Sequence, residues 1–367
     1  MKFTKARPYL FIAIALLFKS TYGFAQQTTG FQNLFTPPLN YVVKYTDHKL
    51  VIDGRLNEKA WQNAPWTSDF TDIEGNLKPK PIYSTKVKML WNDDYLFVAA
   101  QLQEPQVWAY QKHHDDVIFR DNDFEVFINP DNTTHRYFEI EVNALNKIFD
   151  LFLPKPYRNG GDALIGWNVD GLKSAVHING TLNKPNDTDK SWTVEMAIPL
   201  KSLWIGYPYI SPKEGSLWRI NFSRVEWDTE ALNGRVEKKK DAAGHNLPEH
   251  NWVWSAQGVV DMHYPERWGY LQFTKNEGTK FVLPYSEKQK DALWMIYYKQ
   301  KQFAQKNGRY ATALAELNLD AGLIIDGSAN KLNMEATGRQ FKAWIGLDDA
   351  HAISINDEGL IQYPKKP

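Results

Sequence analysis

The chain has 367 residues, with 43 lysines and arginines against 43 aspartates and glutamates, 14 tryptophans and no cysteine. Formal neutrality argues against nucleic-acid binding, which needs a basic stripe to meet phosphates. Without cysteine there is no disulfide, no thiolate metal ligand, no cysteine nucleophile and no lipoprotein anchor, while aromatics at 14% raise the question of whether all are core.

Residues 1–25 join Lys2, Lys5 and Arg7 to an apolar run over 9–18 and small residues at Gly23 and Ala25. This is the pattern of a cleaved secretory signal peptide. Lys19 ends the run well short of the roughly 20 apolar residues that cross a bilayer. Removing the segment leaves 39 basic against 43 acidic side chains. No later stretch is long and apolar enough to span, so the expected product is exported, periplasmic or secreted, with no membrane span and no lipid anchor.

Residues 26–40 are polar and proline-containing and read as a flexible lead-in. Over 41–280 short runs of period two are separated by turn residues such as Asp53-Gly54, Asn92-Asp93-Asp94, Asn159-Gly160-Gly161 and Asn179-Gly180. Strands are expected at 85–90, 95–102, 123–128, 137–143, 191–198 and 217–225. The pattern implies an all-β fold, an antiparallel β-sandwich. The character changes over 281–367. Leu293, Ile296, Tyr297, Gln300 and Phe303 fall at helical spacing within 286–306, Gly308 stops the helix, a second short helix is expected at 311–317, and 352–355 with 360–362 read as a hairpin. This is a small C-terminal α+β appendage, either packed on the sandwich or serving as a recognition unit for a partner.

Side chains in a strand alternate faces. Phe124, Val126 and Ile128 therefore oppose Asp123 and Glu125, and Phe138, Ile140 and Val142 oppose Glu139, Glu141 and Asn143. Trp218, Ile220 and Phe222 likewise oppose Arg219, Asn221 and Ser223, and Trp192, Val194, Met196 and Ile198 oppose Thr193 and Glu195. If these strands share a sheet, its outer face presents Glu125, Glu139, Glu141, Glu195, Asn143, Asn221 and Arg219. Solvated sheet faces pair opposite charges across strands. Four glutamates with one arginine and two asparagines form an acceptor-heavy set instead. Carboxylates and amides beside aromatic plates suit a sugar, whose hydroxyls take paired hydrogen bonds while its C–H face lies on a ring. Trp91, Trp108, Phe119, Trp167, Trp252 and Trp254 are candidate plates; Trp61, Trp66, Trp192 and Trp218 read as core.

Five blocks occur in an order that resembles a known family. They are Val51-Ile52-Asp53-Gly54-Arg55-Leu56-Asn57-Glu58-Lys59-Ala60-Trp61, Val87-Lys88-Met89-Leu90-Trp91-Asn92-Asp93-Asp94-Tyr95-Leu96-Phe97-Val98, Asp123-Phe124-Glu125-Val126-Phe127-Ile128-Asn129-Pro130-Asp131, Trp192-Thr193-Val194-Glu195-Met196-Ala197-Ile198-Pro199 and Trp268-Gly269-Tyr270-Leu271-Gln272-Phe273. Together they are similar to the family 9 carbohydrate-binding modules over about 41–275. The resemblance implies a saccharide-binding sandwich with structural calcium, in a superfamily that also holds haem-binding modules. It further implies that Glu125 hydrogen-bonds sugar and that Phe119 stands where one stacking tryptophan belongs. Glu141 falls where the family has a sugar-contacting arginine. The second stacking tryptophan would lie near Met262-His263, where none stands, and Trp252 or Trp254 is the available replacement.

The polar contacts expected for an oligo- or polysaccharide are thus Glu125, Glu141, Asn143, Glu195, Arg219 and Asn221, with Phe119 and Trp108 stacking. Asp121, Asp123 and Asp131 are the candidate calcium ligands. No zinc helix motif, nucleotide loop or nucleophile elbow occurs, so neither nucleotide nor zinc is expected. The rival readings are a glycoside hydrolase drawing a carboxyl pair from Glu125, Glu139, Glu141 and Glu195, a haem protein using Met89 or Met262 with His263, and an interaction module whose appendage docks a partner glycosidase or other protein.

Overall fold

The computed structural model describes residues 30–346 and 352–364, so the expected signal at 1–25 lies outside the described residues. The chain divides into two units, Pro37–Phe281 and Val282–Pro367 joined by the residues before Pro37.

In the first unit the strands are β1 (Asn40–Tyr45), β2 (Thr71–Asp72), β3 (Thr85–Trp91), β4 (Tyr95–Gln103), β5 (Asp123–Asn129), β6 (Tyr137–Asn143) and β7 (Ile148–Leu153). They continue as β8 (Lys173–Asn179), β9 (Ser191–Pro199), β10 (Leu217–Glu226), β11 (Thr229–Leu232), β12 (Arg235–Lys238), β13 (His250–Val253) and β14 (Gly269–Thr274), with a short helix α1 at Lys59–Asn63. The main sheet runs β7-β6-β5-β10-β14-β1-β3-β4-β9-β8, with β13 on β10 and β2 on β13. β1 lies parallel to both β14 and β3 and so joins two antiparallel halves. The sheet is curled, because the inner sides of both halves share one core. Phe124, Val126, Phe138, Ile140, Trp218 and Phe222 pack there with Val87, Met89, Val98, Trp192, Val194 and Met196. The alternation read from sequence is what fills this core, and at about 25 cal/mol per Å² of apolar surface it supplies the main folding drive. The architecture is mostly β, a sandwich of the expected class.

Glu195 explains why two of the sequence blocks occur together. Its Oε2 accepts the N–H groups of Asp53 and Gly54, both at 3.0 Å, and its Oε1 accepts Trp61 Nε1 at 2.8 Å. Gly54 has φ +81°, and a Cβ there would meet His177 N at 2.8 Å, so glycine is required for this close approach. Glu195 is fully buried on β9, remote in strand order from β5 and β6. Its expected role on a sugar-binding face is therefore corrected to that of a clamp on the 53–61 turn. Glu195→Gln replaces one acceptor oxygen with a donor facing a donor, and it should lower the unfolding free energy by about 2 kcal/mol in denaturant titration.

β7 and β8 escaped the sequence reading. β7 reads Ile148-Phe149-Asp150-Leu151-Phe152-Leu153, apolar on both sides, because a second apolar cluster covers its outer face. Trp66, expected as core, is 38% exposed and carries Lys88 Nζ 4.5 Å above its ring.

In the second unit helix α2 (Tyr285–Asn307) buries Leu293, Ile296, Tyr297 and Gln300, and Gly308 caps it at φ +68°. Five strands follow, β15 (Gly322–Ile325), β16 (Ser328–Ala336), β17 (Phe341–Gly346), β18 (Ile353–Asn356) and β19 (Ile361–Gln362), all antiparallel in chain order. The expected hairpin is the β18–β19 pair, and β15 to β17 extend it. The second short helix is a single 3₁₀ turn, Leu314–Leu317. Of the lead-in, Phe31 and Phe35 place their rings 5.9 Å from that of Tyr298.

Candidate functional site

On the outer side of β5 and β6, Glu125 stands directly across from Glu141 and Phe127 across from Glu139. Asp123 follows on the same side of β5. All four carboxyls are buried, and Glu125, Glu139 and Glu141 line a cavity of about 410 Å³, a size typical of small-molecule sites. Its walls come from elements outside the two strands. Phe119 precedes β5, Phe149 and Leu151 lie on β7, Tyr157 and Ile165 follow β7, and Val260, Asp261, Met262 and His263 precede β14. Phe119 and Tyr157 are 41% and 43% exposed, so each leaves a ring face open at the rim. No lysine or arginine is among the described residues lining the cavity.

Electrostatics follow from this composition. Burial pushes Glu125 up to about 7. Burial first, and then the charge of Glu125, push Asp123, Glu139 and Glu141 well above the ordinary carboxylate range. Backbone bonds hold two of these groups in place: Glu141 Oε2 accepts Phe119 N–H at 3.0 Å, and Asp123 Oδ1 accepts Val225 N–H at 3.0 Å. Asp123 Oδ2 and Glu139 Oε2 have no hydrogen-bond partner. His263 sits 4.0 Å from Glu139 through Nε2 and bonds Tyr137 Oη through Nδ1 at 3.0 Å. Burial and then the nearby Arg158 push its imidazole down to about 4. At neutral pH the floor therefore mixes carboxyl donors with carboxylate acceptors, beside a neutral imidazole. That mixture matches hydroxyls, which need both.

The structure brings together Glu125, Glu139, Glu141 and Phe119. It does not bring the other expected contacts to them. Asn143 Nδ2 donates to the Gln111 carbonyl and to Asp121, while its Oδ1 accepts Leu145 and Lys147 N–H, which organises the turn after β6. Arg219 is spent on Asn132, the Trp268 carbonyl and Tyr270, with its guanidinium 3.7 Å over the Tyr270 ring. Asn221 fastens β10 to Ser255. Trp108 is 4% exposed and has no open ring face to offer. Trp91, Trp252 and Trp254 lie in the core, so neither Trp252 nor Trp254 replaces the missing stacking ring. Among the described residues lining the cavity, Tyr157 is the other half-exposed aromatic ring besides Phe119. The sequence signal was available: an aromatic after Pro154-Lys155-Pro156 cannot continue β7 and must sit on a loop.

The expected calcium set is also corrected. Asp121 Oδ2 accepts Tyr110 and Gln111 N–H, both at 2.8 Å, and Asp131 serves Asn129, Thr133 and Arg136 at the opposite end of β5. One strand length keeps these two aspartates from sharing an ion. Asp123, Glu125 and Glu141 do converge, with one oxygen from each within 4.8 Å of the others. Three carboxylate oxygens and a free Asp123 Oδ2 fit part of a hard cation's shell. The haem pair fails on geometry, since Met89 is buried in the sandwich core while Met262 and His263 are chain neighbours.

A curled β-sandwich carrying a concave cavity with a polar floor and aromatic rim is the architecture of a ligand-binding module. The chain belongs to the carbohydrate family 9 binding domain-like family, whose model matches residues 52–273. Solved structures resemble it at low identity. A family 9 carbohydrate-binding module from Caldicellulosiruptor kristjanssonii in complex with cellotriose is 14% identical, covering 66% of this chain and 99% of that chain at a TM-score of 0.41. The same module with glucose gives 14% identity, 66% and 100% coverage and a TM-score of 0.41. A Bacteroides uniformis ATCC 8492 protein is 15% identical over 65% of this chain and 100% of that chain, with a TM-score of 0.46. No curated protein matches the chain.

Proposed function

We propose that this chain is an exported carbohydrate-binding protein whose β5–β6 cavity holds a sugar residue of a plant-type oligo- or polysaccharide. The observation that carries the reading is the buried carboxyl floor between two half-open rings. Glu125, Glu139 and Glu141 reach hydroxyls, while Phe119 and Tyr157 cover C–H faces. The amino-terminal signal pattern supports export, and family membership supports the ligand class.

Calorimetric titration of the full chain with xylo-, cello-, manno- and pectic oligosaccharides tests the proposal. Saturable heat with one of them, without new reducing ends, is the expected outcome. Absence of heat across all four would overturn it. A second reading, hydrolysis of O-glycosyl bonds, is favoured by Glu125 being pushed up to about 7, where general acids work. It would reveal itself as reducing ends accumulating in the same cell.

A further inference from the structure

Three segments remote in sequence meet at the edge of the first unit, apart from the cavity. His114 and Asp115 come from the loop before β5, Asp150 from β7, and Asn168 from the loop after Ile165. His114 Nε2 lies 3.5 Å from Asp115 Oδ1 and 3.5 Å from Asp150 Oδ1, and it is hydrogen-bonded to Asn168 Oδ1. Asp150 is 2% exposed. Its Oδ2 accepts Val169 N–H at 2.5 Å, whereas its Oδ1 has no hydrogen-bond partner and points at His114. Asp115 Oδ1 is likewise buried and unpartnered.

An ordinary histidine–aspartate pair does not account for this geometry. Separations of 3.5 Å are too long for good hydrogen bonds, and one N–H cannot serve three oxygens. A buried carboxylate oxygen without a partner has lost its hydration with nothing in exchange. The same separations do suit ligands around one ion. With metal–nitrogen and metal–oxygen bonds of about 2.0–2.2 Å, the edges of a tetrahedron are about 3.3–3.6 Å. Asn168 Oδ1 hydrogen-bonds His114 Nε2 and lies too close to that nitrogen to be a ligand beside it, so it would turn aside and a water would complete the four-coordinate shell.

We infer that His114 Nε2, Asp115 and Asp150 form a site for a divalent transition ion of the zinc type. A mixed imidazole and carboxylate set favours such an ion over calcium, which prefers six to eight oxygens. The absence of a zinc motif in the sequence is no obstacle, since the ligands are drawn from separate segments that only the fold assembles. The bound ion would tie the loop leading to Phe119 to Asp150, whose other oxygen holds Val169 in the loop carrying Ile165, and Phe119 and Ile165 are walls of the cavity. This inference concerns a separate site and does not rest on the saccharide reading.

The test is calorimetric titration of the chelator-stripped full chain with zinc chloride, with calcium and magnesium chlorides as comparisons. One zinc per chain is expected, binding more tightly than either comparison ion, together with a higher unfolding midpoint. Affinity should fall at least tenfold in both His114→Ala and Asp150→Asn. His114 is half exposed and Asp150→Asn keeps an acceptor for Val169, so both should fold; far-ultraviolet dichroism of the metal-free variants checks this. Glu125→Gln should leave zinc binding unchanged. No stoichiometric zinc binding, undiminished binding in both variants, or calcium binding as tightly as zinc would overturn the assignment.

Discussion

Glu125→Ala should weaken saccharide binding at least a hundredfold while leaving the fold intact. Glu125 is the central carboxyl of the cavity floor, facing Glu141 across the ladder and buried except where it meets the cavity. Hydrogen bonds that involve a charged group contribute about 1.5–3 kcal/mol each. Two such bonds to neighbouring hydroxyls come to about 3 kcal/mol or more, which corresponds to a factor of at least a hundred in affinity. Removing Glu125 also removes a like charge from beside Asp123, Glu139 and Glu141, so the folded state should not suffer. Calorimetry against the best ligand, paired with thermal unfolding of the same variant, measures both effects. Unchanged affinity would remove Glu125 from the site and with it the carboxyl floor as the recognition element.

The protein should lose stability as pH rises from 6.5 to 8. In the unfolded chain the glutamates ionise near the ordinary 4.5, whereas burial holds Glu125 at about 7 and pushes Glu139 and Glu141 well above the ordinary carboxylate range. Between the unfolded and folded values the folded chain binds more protons than the unfolded one, so stability falls with rising pH. A displacement from 4.5 to about 7 corresponds to about 3 kcal/mol for Glu125 alone, of which under about 1 kcal/mol is lost above pH 6.5, so Glu139 and Glu141 carry most of the change in this window. His263 acts in the opposite sense, since its folded value near 4 lies below the ordinary 6.5, but that contribution is complete by about pH 6.5. Thermal unfolding in chelator should therefore give a lower midpoint at pH 8 than at 6.5. Glu139→Gln should flatten the dependence and raise the pH 8 midpoint by about 3 °C or more. A flat profile in the parent chain would show that the floor is already ionised and compensated.

Much of the fold was legible because strand alternation leaves a direct trace. Phe124, Val126 and Ile128 against Asp123 and Glu125 fixed which side of β5 meets the core. The trace fails where both sides are covered, as at β7, since burial on two faces erases the alternation. The site was legible in its floor and, among its walls, only at Phe119, through the family resemblance. Glu125, Glu139 and Glu141 share a side by periodicity, and that property belongs to one strand pair. Whether Glu195 joins them depends on strand order, which periodicity does not encode; four strands of the sheet order separate β9 from β10. Arg219, Asn143 and Asn221 were read as ligand contacts from strand phase and residue type, neither of which shows what a side chain bonds. Their partners are backbone groups and buried side chains that only tertiary structure supplies. Tyr157 and His263 come from loops, where no period operates.

The placement of β1 has a kinetic consequence. Asn40 to Lys44 pair in register with Tyr270 to Thr274, while the far end of the same strand reaches Leu90 and Trp91. A chain that emerges amino terminus first therefore holds this strand without its principal neighbour until nearly the whole unit has been made. Contacts of such large sequence separation slow folding, because loop closure must be completed before they contribute. The β3–β4, β8–β9 and β5–β6–β7 hairpins can assemble locally, but the pairings of β4 with β9 and β5 with β10 and the β1 seam must wait for distant segments. Until then each half exposes an open edge to neighbouring chains.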